Sequence, residues 1–374
     1  MKKKIFYLFS DTGGGHRSAA TSLMRAVEEL EGKNAPLQEM VDVFSECSKF
    51  LNLFAKLYGP VIKYSPKMWG VLYYWLNDLK KLQNLEKIAR PFIVKELAAL
   101  LSKRKPDVVV SVHPMLNHIT VAAMRQAGRV VPMITVITDP VSIHAAWVCP
   151  EVDLIIVATE KAKELAVKYG APPSKVKLIG LPIDPKFSRP SKEKGRLRSD
   201  LGLFPKLFTV LMMGGGEGGG SIYETAAALN HSKVQAQLII VAGRNEKLKR
   251  RLEKAAPKFR MPMKVYGFTN EVPDLMSASD IIITKAGPGS IAEALAKELP
   301  LIITSWLPGQ EEGNVEFVLK EGLGVVAKDH RKISKVVTSI SRPQTYARYL
   351  KNIRRASDPK AGFKIAKTIL SFLR

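Results

Sequence analysis

Cysteine is almost absent: Cys47 and Cys149 are the two in 374 residues. They show no metal-ligand spacing and allow at most one disulfide, so reduced thiols in a cytosolic compartment are the plainer expectation. Long apolar runs are missing as well. No stretch approaches the roughly 20 apolar residues that a membrane-crossing helix needs, so any membrane contact is expected to be peripheral, at the inner face of the cell membrane. The opening Met-Lys-Lys-Lys precedes an apolar run that ends after Phe9 in Ser10-Asp11, which suits a buried first strand better than a signal peptide. Acidic residues are scarce beside basic ones, 34 Asp+Glu against 58 Lys+Arg, for a formal net charge of +24. Such an excess implies an anionic partner: nucleic acid, an anionic membrane surface or phosphorylated substrates. Hydrophobic content of 46% and charged content of 25% place the chain among globular proteins, and the length suffices for two domains.

What is present is a series of short apolar runs, each ending in a glycine-rich or polar turn. Ile5–Phe9 leads to Ser10-Asp-Thr-Gly-Gly-Gly-His16, and a helical pattern from Ser18 to Leu30 follows. Residues 106–114 carry His113 at their polar end, and residues 132–140 carry Asp139 there, before His144 and Trp147; further runs cover 152–158 and 176–179. Strands alternating with helices indicate a doubly wound parallel α/β sheet whose strand ends carry the ligand site. His16 is either a polar residue of a glycine turn or a general base, since a reference pKa of about 6.5 leaves imidazole largely neutral near pH 7. Asp11 either orients that ring or caps the turn. Leu181–Pro185 leads into the basic, breaker-rich stretch Ser188–Arg198, which reads as an interdomain linker spanning 188–204. The expected division is 1–187 for an acceptor and membrane-docking domain and 205–344 for a second α/β domain. A final helix, about 345–374, is expected to cross back to the first.

The second half repeats the pattern. Phe208–Met213 leads to a loop, Gly214 to Gly220, with six glycines in seven residues, and 237–242 leads to Gly243-Arg244-Asn245. Backbone N–H groups in such a loop can approach a phosphate with no Cβ in the way; Arg244 is either a phosphate partner or a surface arginine. Phe268 is placed to stack on a base or to fill the core. Ile281–Thr284 leads to Lys285-Ala-Gly-Pro-Gly-Ser-Ile-Ala-Glu293. Orphan N–H groups at this helix start, with the helix dipole behind them, make a seat for an anion, and Glu293 about one turn in is placed to accept from neutral hydroxyls. Gln310 and Glu311 offer an amide and a carboxylate to further hydroxyls. Phe50–Leu82 mixes Trp69, Trp75 and four tyrosines with lysines around Pro60 and Pro66. It is either a membrane-interface segment or the core of a helical pair.

Together Ser10–His16, Gly214–Gly218, Gly243–Asn245, Ile283–Gly289 and Gly309–Asn314, in this order through both halves, resemble the monogalactosyldiacylglycerol synthases of glycosyltransferase family 28. The resemblance implies a GT-B fold, two Rossmann-like domains facing across a cleft, with the acceptor in the first and a UDP-sugar in the second. It implies an inverting transfer of a hexose to the 3-hydroxyl of 1,2-diacylglycerol. His16 would be the base, with Asp139 a second candidate. Gly215, Gly216, Gly289 and Ser290 would hold the diphosphate, with Arg244 beside it. Phe268 and Thr269 would hold uracil, Glu293 the ribose, and Gln310 and Glu311 the hexose. Gly14, Gly15, His113, His144, Trp147, Trp69 and Trp75 would meet the acceptor or lipid. No metal or cofactor is expected, anionic lipid is a candidate activator, and UDP-galactose is favoured over UDP-glucose. An NAD(P)-dependent oxidoreductase would explain Gly214–Gly219 but needs an acid about 20 residues on, where Ala242-Gly-Arg-Asn245 stands instead. A nucleic-acid-binding protein would explain the charge, but needs aromatics set in a basic groove. Both leave His16 and Gln310-Glu311 unexplained.

Overall fold

The computed structural model describes residues 2–11, 14–47, 65–216, 218–219 and 221–373. Most of the first half of the aromatic segment, with Tyr58, Pro60 and Tyr64, lies outside these residues. So do Thr12 and Gly13 of the first glycine turn, and Glu217 and Gly220 of the second. The chain divides into two compact units, one of Met1–Pro185, Leu307–Gly313 and Lys360–Arg374, the other of Lys186–Trp306 and Asn314–Pro359.

The first unit runs β1 (Lys4–Phe9), α1 (Gly15–Glu31), β2 (Leu37–Asp42), α2 (Val43–Cys47), α3 (Pro66–Leu76), α4 (Leu79–Arg104), β3 (Val108–Ser111), α5 (Asn117–Gln126), β4 (Met133–Val136), β5 (Leu154–Val157), α6 (Glu160–Lys168) and β6 (Val176–Leu178). Its sheet is parallel throughout, in the order β2-β1-β3-β4-β5-β6. The central strand β1 is apolar without interruption because both its faces are covered. Phe6 and Leu8 enter one core with α4 and α5, and Ile5, Tyr7 and Phe9 enter the other. That second core is closed by α1 and by Ile365, Ala366 and Ile369 near the C-terminus.

The second unit runs α7 (Lys194–Asp200), β7 (Phe208–Met213), α8 (Ile222–Asn230), β8 (Ala236–Val241), α9 (Glu246–Ala255), β9 (Met263–Tyr266), α10 (Val272–Ala278), β10 (Ile281–Lys285), α11 (Pro288–Ala296), β11 (Leu301–Ser305), α12 (Glu312–Lys320), β12 (Gly324–Val326), α13 (Ile333–Ile340) and α14 (Pro343–Ala356); α12 begins with two residues of the first unit. The sheet order is β12-β11-β10-β7-β8-β9, again all parallel, which is the dinucleotide-fold order with its reversal between β7 and β10. The last helix, α15 (Ala361–Ser371), belongs to the first unit.

Three features differ from the sequence reading. Edge strands β2 and β12 were not expected. The first is mostly half-buried and carries Gln38, Glu39 and Asp42, and the second is three residues long, so neither shows a buried-strand pattern. The stretch expected as linker contains α7, which packs within the second unit, and the division falls at Pro185. The expected 345–374 helix is two helices: Pro359 lacks an N–H and disfavours helix at the residue before it, so α14 stops at Ala356 and only Lys360 onward joins the first unit.

Helix α7 is anchored by Arg198, which is 5% exposed. Its guanidinium donates to the Ala278 carbonyl at 2.8 Å, the Pro205 carbonyl at 3.1 Å and Asp280 Oδ2 at 2.6 Å. Asp280 also accepts from the Thr209 N–H at 2.7 Å. Removing Arg198 leaves the Ala278 and Pro205 carbonyls without this donor, while Lys194 still meets Asp280 at 3.1 Å. Arg198→Ala is therefore expected to lower unfolding free energy by roughly 1–3 kcal/mol, measured by urea titration; an unmoved midpoint would show that the pair does not anchor the helix.

Candidate active site

In the first sheet β1 and β3 are neighbours, with β2 on the far side of β1. The chain leaves β1 and β3 in opposite directions, which opens a crevice at their carboxyl ends. His16 enters it from the first turn of α1. Gly14 precedes that helix at φ 79° with no side-chain cap. Nδ1 of His16 lies 2.6 Å from the Val112 carbonyl oxygen just beyond β3. A carbonyl only accepts, so Nδ1 carries the proton and Nε2 keeps its lone pair. Burial pushes the His16 pKa down to about 4, against the pull of the Val112 carbonyl. The ring centroid of His113 is 4.6 Å away, and burial followed by the neighbouring His16 also lowers its pKa. Both rings are neutral at neutral pH. Asp11 does not orient His16; it pairs with Arg17 at 3.1 Å on the surface.

The ring of Trp147 is centred 6.0 Å from His16, and its indole N–H donates to Asp139 Oδ2 at 2.7 Å. Asp139 is buried. Burial raises its pKa to about 6; the Trp147 hydrogen bond works against this and the charge of Glu311 adds to it. Glu311 is 4% exposed and accepts the Leu307 N–H at 2.8 Å, which closes its own loop. Thus half-buried His16 and the buried His113, Trp147, Asp139 and Glu311 form one polar cluster in the first unit, with half-buried Gln310 beside Glu311 in sequence.

The expected lipid contacts divide. Gly14 and Gly15 are exposed, with open space where a Cβ would stand. His113, His144 and Trp147 are 4%, 8% and 0% exposed, set inside the unit rather than on its surface. His144 Nε2 donates to the Tyr73 carbonyl at 3.3 Å, and burial lowers its pKa to about 4 despite that bond. Trp147 serves Asp139 instead. Trp69 is half-buried, whereas Trp75 is 55% exposed.

The second unit presents its own crevice, between β7 and β10. Two glycine turns interlock there, backbone on backbone. A Cβ on Gly218, at φ 60°, would meet the Ala242 carbonyl at 2.0 Å, and one on Gly243, at φ 59°, the Gly216 carbonyl at 2.4 Å. The Arg244 N–H donates to that same Gly216 carbonyl at 2.8 Å. Gly215 faces Lys285, whose Cε is 3.0 Å from the Cβ position. This lays the alkyl chain of Lys285 over the loop expected to hold a diphosphate. Lys285 was not among the predicted site residues, although its place at the end of β10 beside the glycine turn was a signal. Helix α11 follows Gly287 as its N-cap, with no side-chain cap, so Gly289 and Ser290 lie in its first turn and half-buried Glu293 in its second. Phe268 is 62% exposed, not core. The Arg244 guanidinium lies 4.9 Å from its ring centroid, and Thr269 Oγ1 accepts the Glu271 N–H at 3.1 Å. Among the described residues, ligand atoms of His118, Cys149 and Glu151 lie within 4.8 Å of one another, but Glu151 is paired with Arg125 and His118 donates to the Val148 carbonyl.

Residues 16–183 match the monogalactosyldiacylglycerol (MGDG) synthase family and residues 209–369 the glycosyltransferase family 28 C-terminal domain. Monogalactosyldiacylglycerol synthase, chloroplastic, of Spinacia oleracea is 34% identical, over 100% of this chain and 73% of that protein. Monogalactosyldiacylglycerol synthase 1, chloroplastic, of Arabidopsis thaliana is also 34% identical, over 100% and 71%. Solved structures share the GT-B fold. Anabaena HepE in complex with UDP-glucose has a TM-score of 0.57 at 17% identity, covering 98% of this chain and 99% of that one. Acinetobacter baumannii MurG has 0.60 at 12%, covering 99% of each. The expected cytoplasmic position at the inner face of the cell membrane does not stand, because the plant relatives that span the chain are chloroplastic proteins. In the cluster itself, Trp147→Phe removes the hydrogen bond that restrains Asp139. Carboxyl-carbon titration by NMR is expected to show its pKa rising above about 6; an unmoved midpoint would uncouple the two residues.

Proposed function

This chain belongs to the monogalactosyldiacylglycerol synthase family, and on that premise we infer that it transfers galactose from UDP-galactose to the 3-hydroxyl of 1,2-diacylglycerol, forming a β-galactolipid. The observation that carries the reading is the neutral His16, whose Nδ1 proton is held by the Val112 carbonyl. Nε2 takes the proton of the lipid hydroxyl as its oxygen attacks the anomeric carbon. The bond from that carbon to the diphosphate oxygen breaks, its electron pair leaves with UDP, and the configuration inverts. The imidazolium so formed keeps its hydrogen bond to Val112. A pKa held low by burial also makes His16 a weak base, so proton transfer must run late, when the attacking oxygen has become acidic. Asp139, beside Trp147, is the charged neighbour that stabilises the developing cation.

On the donor side, Phe268 stacks on uracil and Thr269 meets its edge, displacing Arg244 from the Phe268 face toward phosphate. Glu293 holds the ribose. Gly215, Gly216, Gly289 and Ser290 seat the diphosphate, and Lys285, Arg244 and the α11 N-terminus meet its charge. These cations do the work of a divalent metal, so the reaction is proposed to be metal-independent. Gln310 and Glu311 hold the galactose. The basic excess is proposed to serve anionic lipid, as surface or activator.

Incubation with diacylglycerol in vesicles and either UDP-galactose or UDP-glucose tests the reading, by glycolipid formed. Galactolipid is expected; a glucolipid would move the donor to glucose, and no product from folded protein would overturn it. His16→Ala should cost about 10²–10⁴-fold in kcat with UDP affinity unchanged, and retained transfer would remove His16 as base. The acid limb of kcat/KM should lie near pH 6, where Asp139 loses its charge, and not near 4, where His16 would protonate. A limb unmoved in Asp139→Asn would show that Asp139 does not set it.

A further inference from the structure

Helix α3 has two faces of opposite kind. Met68, Val71, Leu72 and Trp75 stand at i, i+3, i+4 and i+7 and share one face. They are 57%, 72%, 41% and 55% exposed. Exposed Lys67 lies beside the stripe, and Lys81 Nζ sits 4.7 Å over the Trp75 ring. Contiguous apolar side chains left in water at helical spacing mark a surface meant to be covered, and flanking ammonium groups fit anionic headgroups.

On the other face, at the same spacing, Gly70 and Tyr73 are buried, Tyr74 is 58% exposed but bonded through its hydroxyl, and Asn77 is the C-cap. Gly70 sits where a Cβ would come within 2.9 Å of Pro308. Tyr73 is 9% exposed and packs on Gly309, which at φ 80° leaves room for no Cβ: the Tyr73 ring would be 2.8 Å away. Tyr74 Oη donates to the Glu312 carboxylate. These contacts bracket Gln310 and Glu311 from both sides in sequence. Asn77 Oδ1 accepts the Ala145 N–H at 2.8 Å, and the Tyr73 carbonyl accepts from His144. The inner face therefore also braces the segment that leads to Trp147, the donor to Asp139.

We propose that α3 couples lipid engagement to donor engagement: its outer stripe seats in an anionic bilayer, and its inner face, through Tyr73, then orders the loop that holds the sugar. The proposal rests on the galactosyltransfer reading. Its physical basis is length. An eleven-residue helix is marginal on its own in water and takes its order from what packs on it. Lipid on one face and the 307–313 loop on the other therefore support the same helix, and each strengthens the other by the same factor. Tyr73 is a positioning residue in this scheme, acting on the sugar through Gly309 and its neighbours.

Calorimetric titration of the full chain with UDP-galactose, without diacylglycerol so that no turnover occurs, tests the coupling. Run with and without phosphatidylglycerol–phosphatidylcholine vesicles, it should show donor affinity tightening roughly tenfold on vesicles, inside the usual range for coupled sites. Tyr73→Ala should still bind vesicles but lose the tightening, and Tyr73→Phe, which keeps the ring on Gly309, should retain it. Met68→Ser with Val71→Ser, on the outer face, should lose vesicle binding and the tightening together. Donor affinity indifferent to vesicles in the unmodified chain, or tightening that survives Tyr73→Ala, would overturn the proposal. Donor binding absent in solution and on vesicles alike would overturn the functional reading, and the proposal with it.

Discussion

The hydrogen bond from His16 Nδ1 to the Val112 carbonyl is the constraint on which the first half-site turns. It joins the start of α1 to the end of β3 across the crevice between adjacent strands, and it decides which ring nitrogen is bare. A side-chain partner could be protonated or rotated away, whereas a carbonyl at the end of a central, fully buried strand can do neither. Burial then keeps the ring neutral, with His113 and Trp147 as its walls. Low polarity around a neutral imidazole is tolerable, but it makes the protonated ring costly. In the proposed reaction the carboxylate of Asp139, held by Trp147, would be the compensating group within the same cluster.

The second half-site depends on a different economy, that of backbone on backbone. The glycine turns after β7 and β8 lie so close that side chains at Gly218 and Gly243 would collide with carbonyls. Beside these turns lie the start of α11 at Gly287, without a side-chain cap, and the alkyl chain of Lys285. Positive potential is thus supplied mainly by fixed groups, which need little reorganisation when an anion arrives. Phe268, held out in solvent with Arg244 over its ring, is a hydrophobic cost that only a stacking partner removes.

Much of this was legible in the residues. Uninterrupted apolar strands such as Ile5–Phe9 and Ile281–Thr284 read correctly as parallel, because a strand covered on both faces has no polar side to show. The half-exposed edge strands β2 and β12 carried no such signal. The glycine turns marked both crevices: at Gly218 and Gly243 only glycine permits the close approach, and Gly14 takes φ 79° before α1. The aromatic segment read ambiguously for a physical reason: within α3, Tyr73 is core and Trp75 is exposed two residues on, and composition does not separate the faces of one helix. For His144 and Trp147 the resemblance implied contact with acceptor or lipid; their burial and their partners, Tyr73 and Asp139, show only in the structure.

By itself the sequence determined the two α/β series, the places where their strands end in glycine, and the family to which the motifs belong. These follow from local rules: side-chain periodicity, the φ freedom of glycine and the order of motifs along one chain. The tertiary structure alone decided the tautomer of His16, the pairing of Trp147 with Asp139, the place of Lys285 over Gly215, and the attachment of 307–313 and α15 to the first unit. Each is a contact between residues far apart in the chain or turned by a loop, fixed by packing and by the need of buried polar groups for partners. No local pattern encodes which distant carbonyl a histidine will meet.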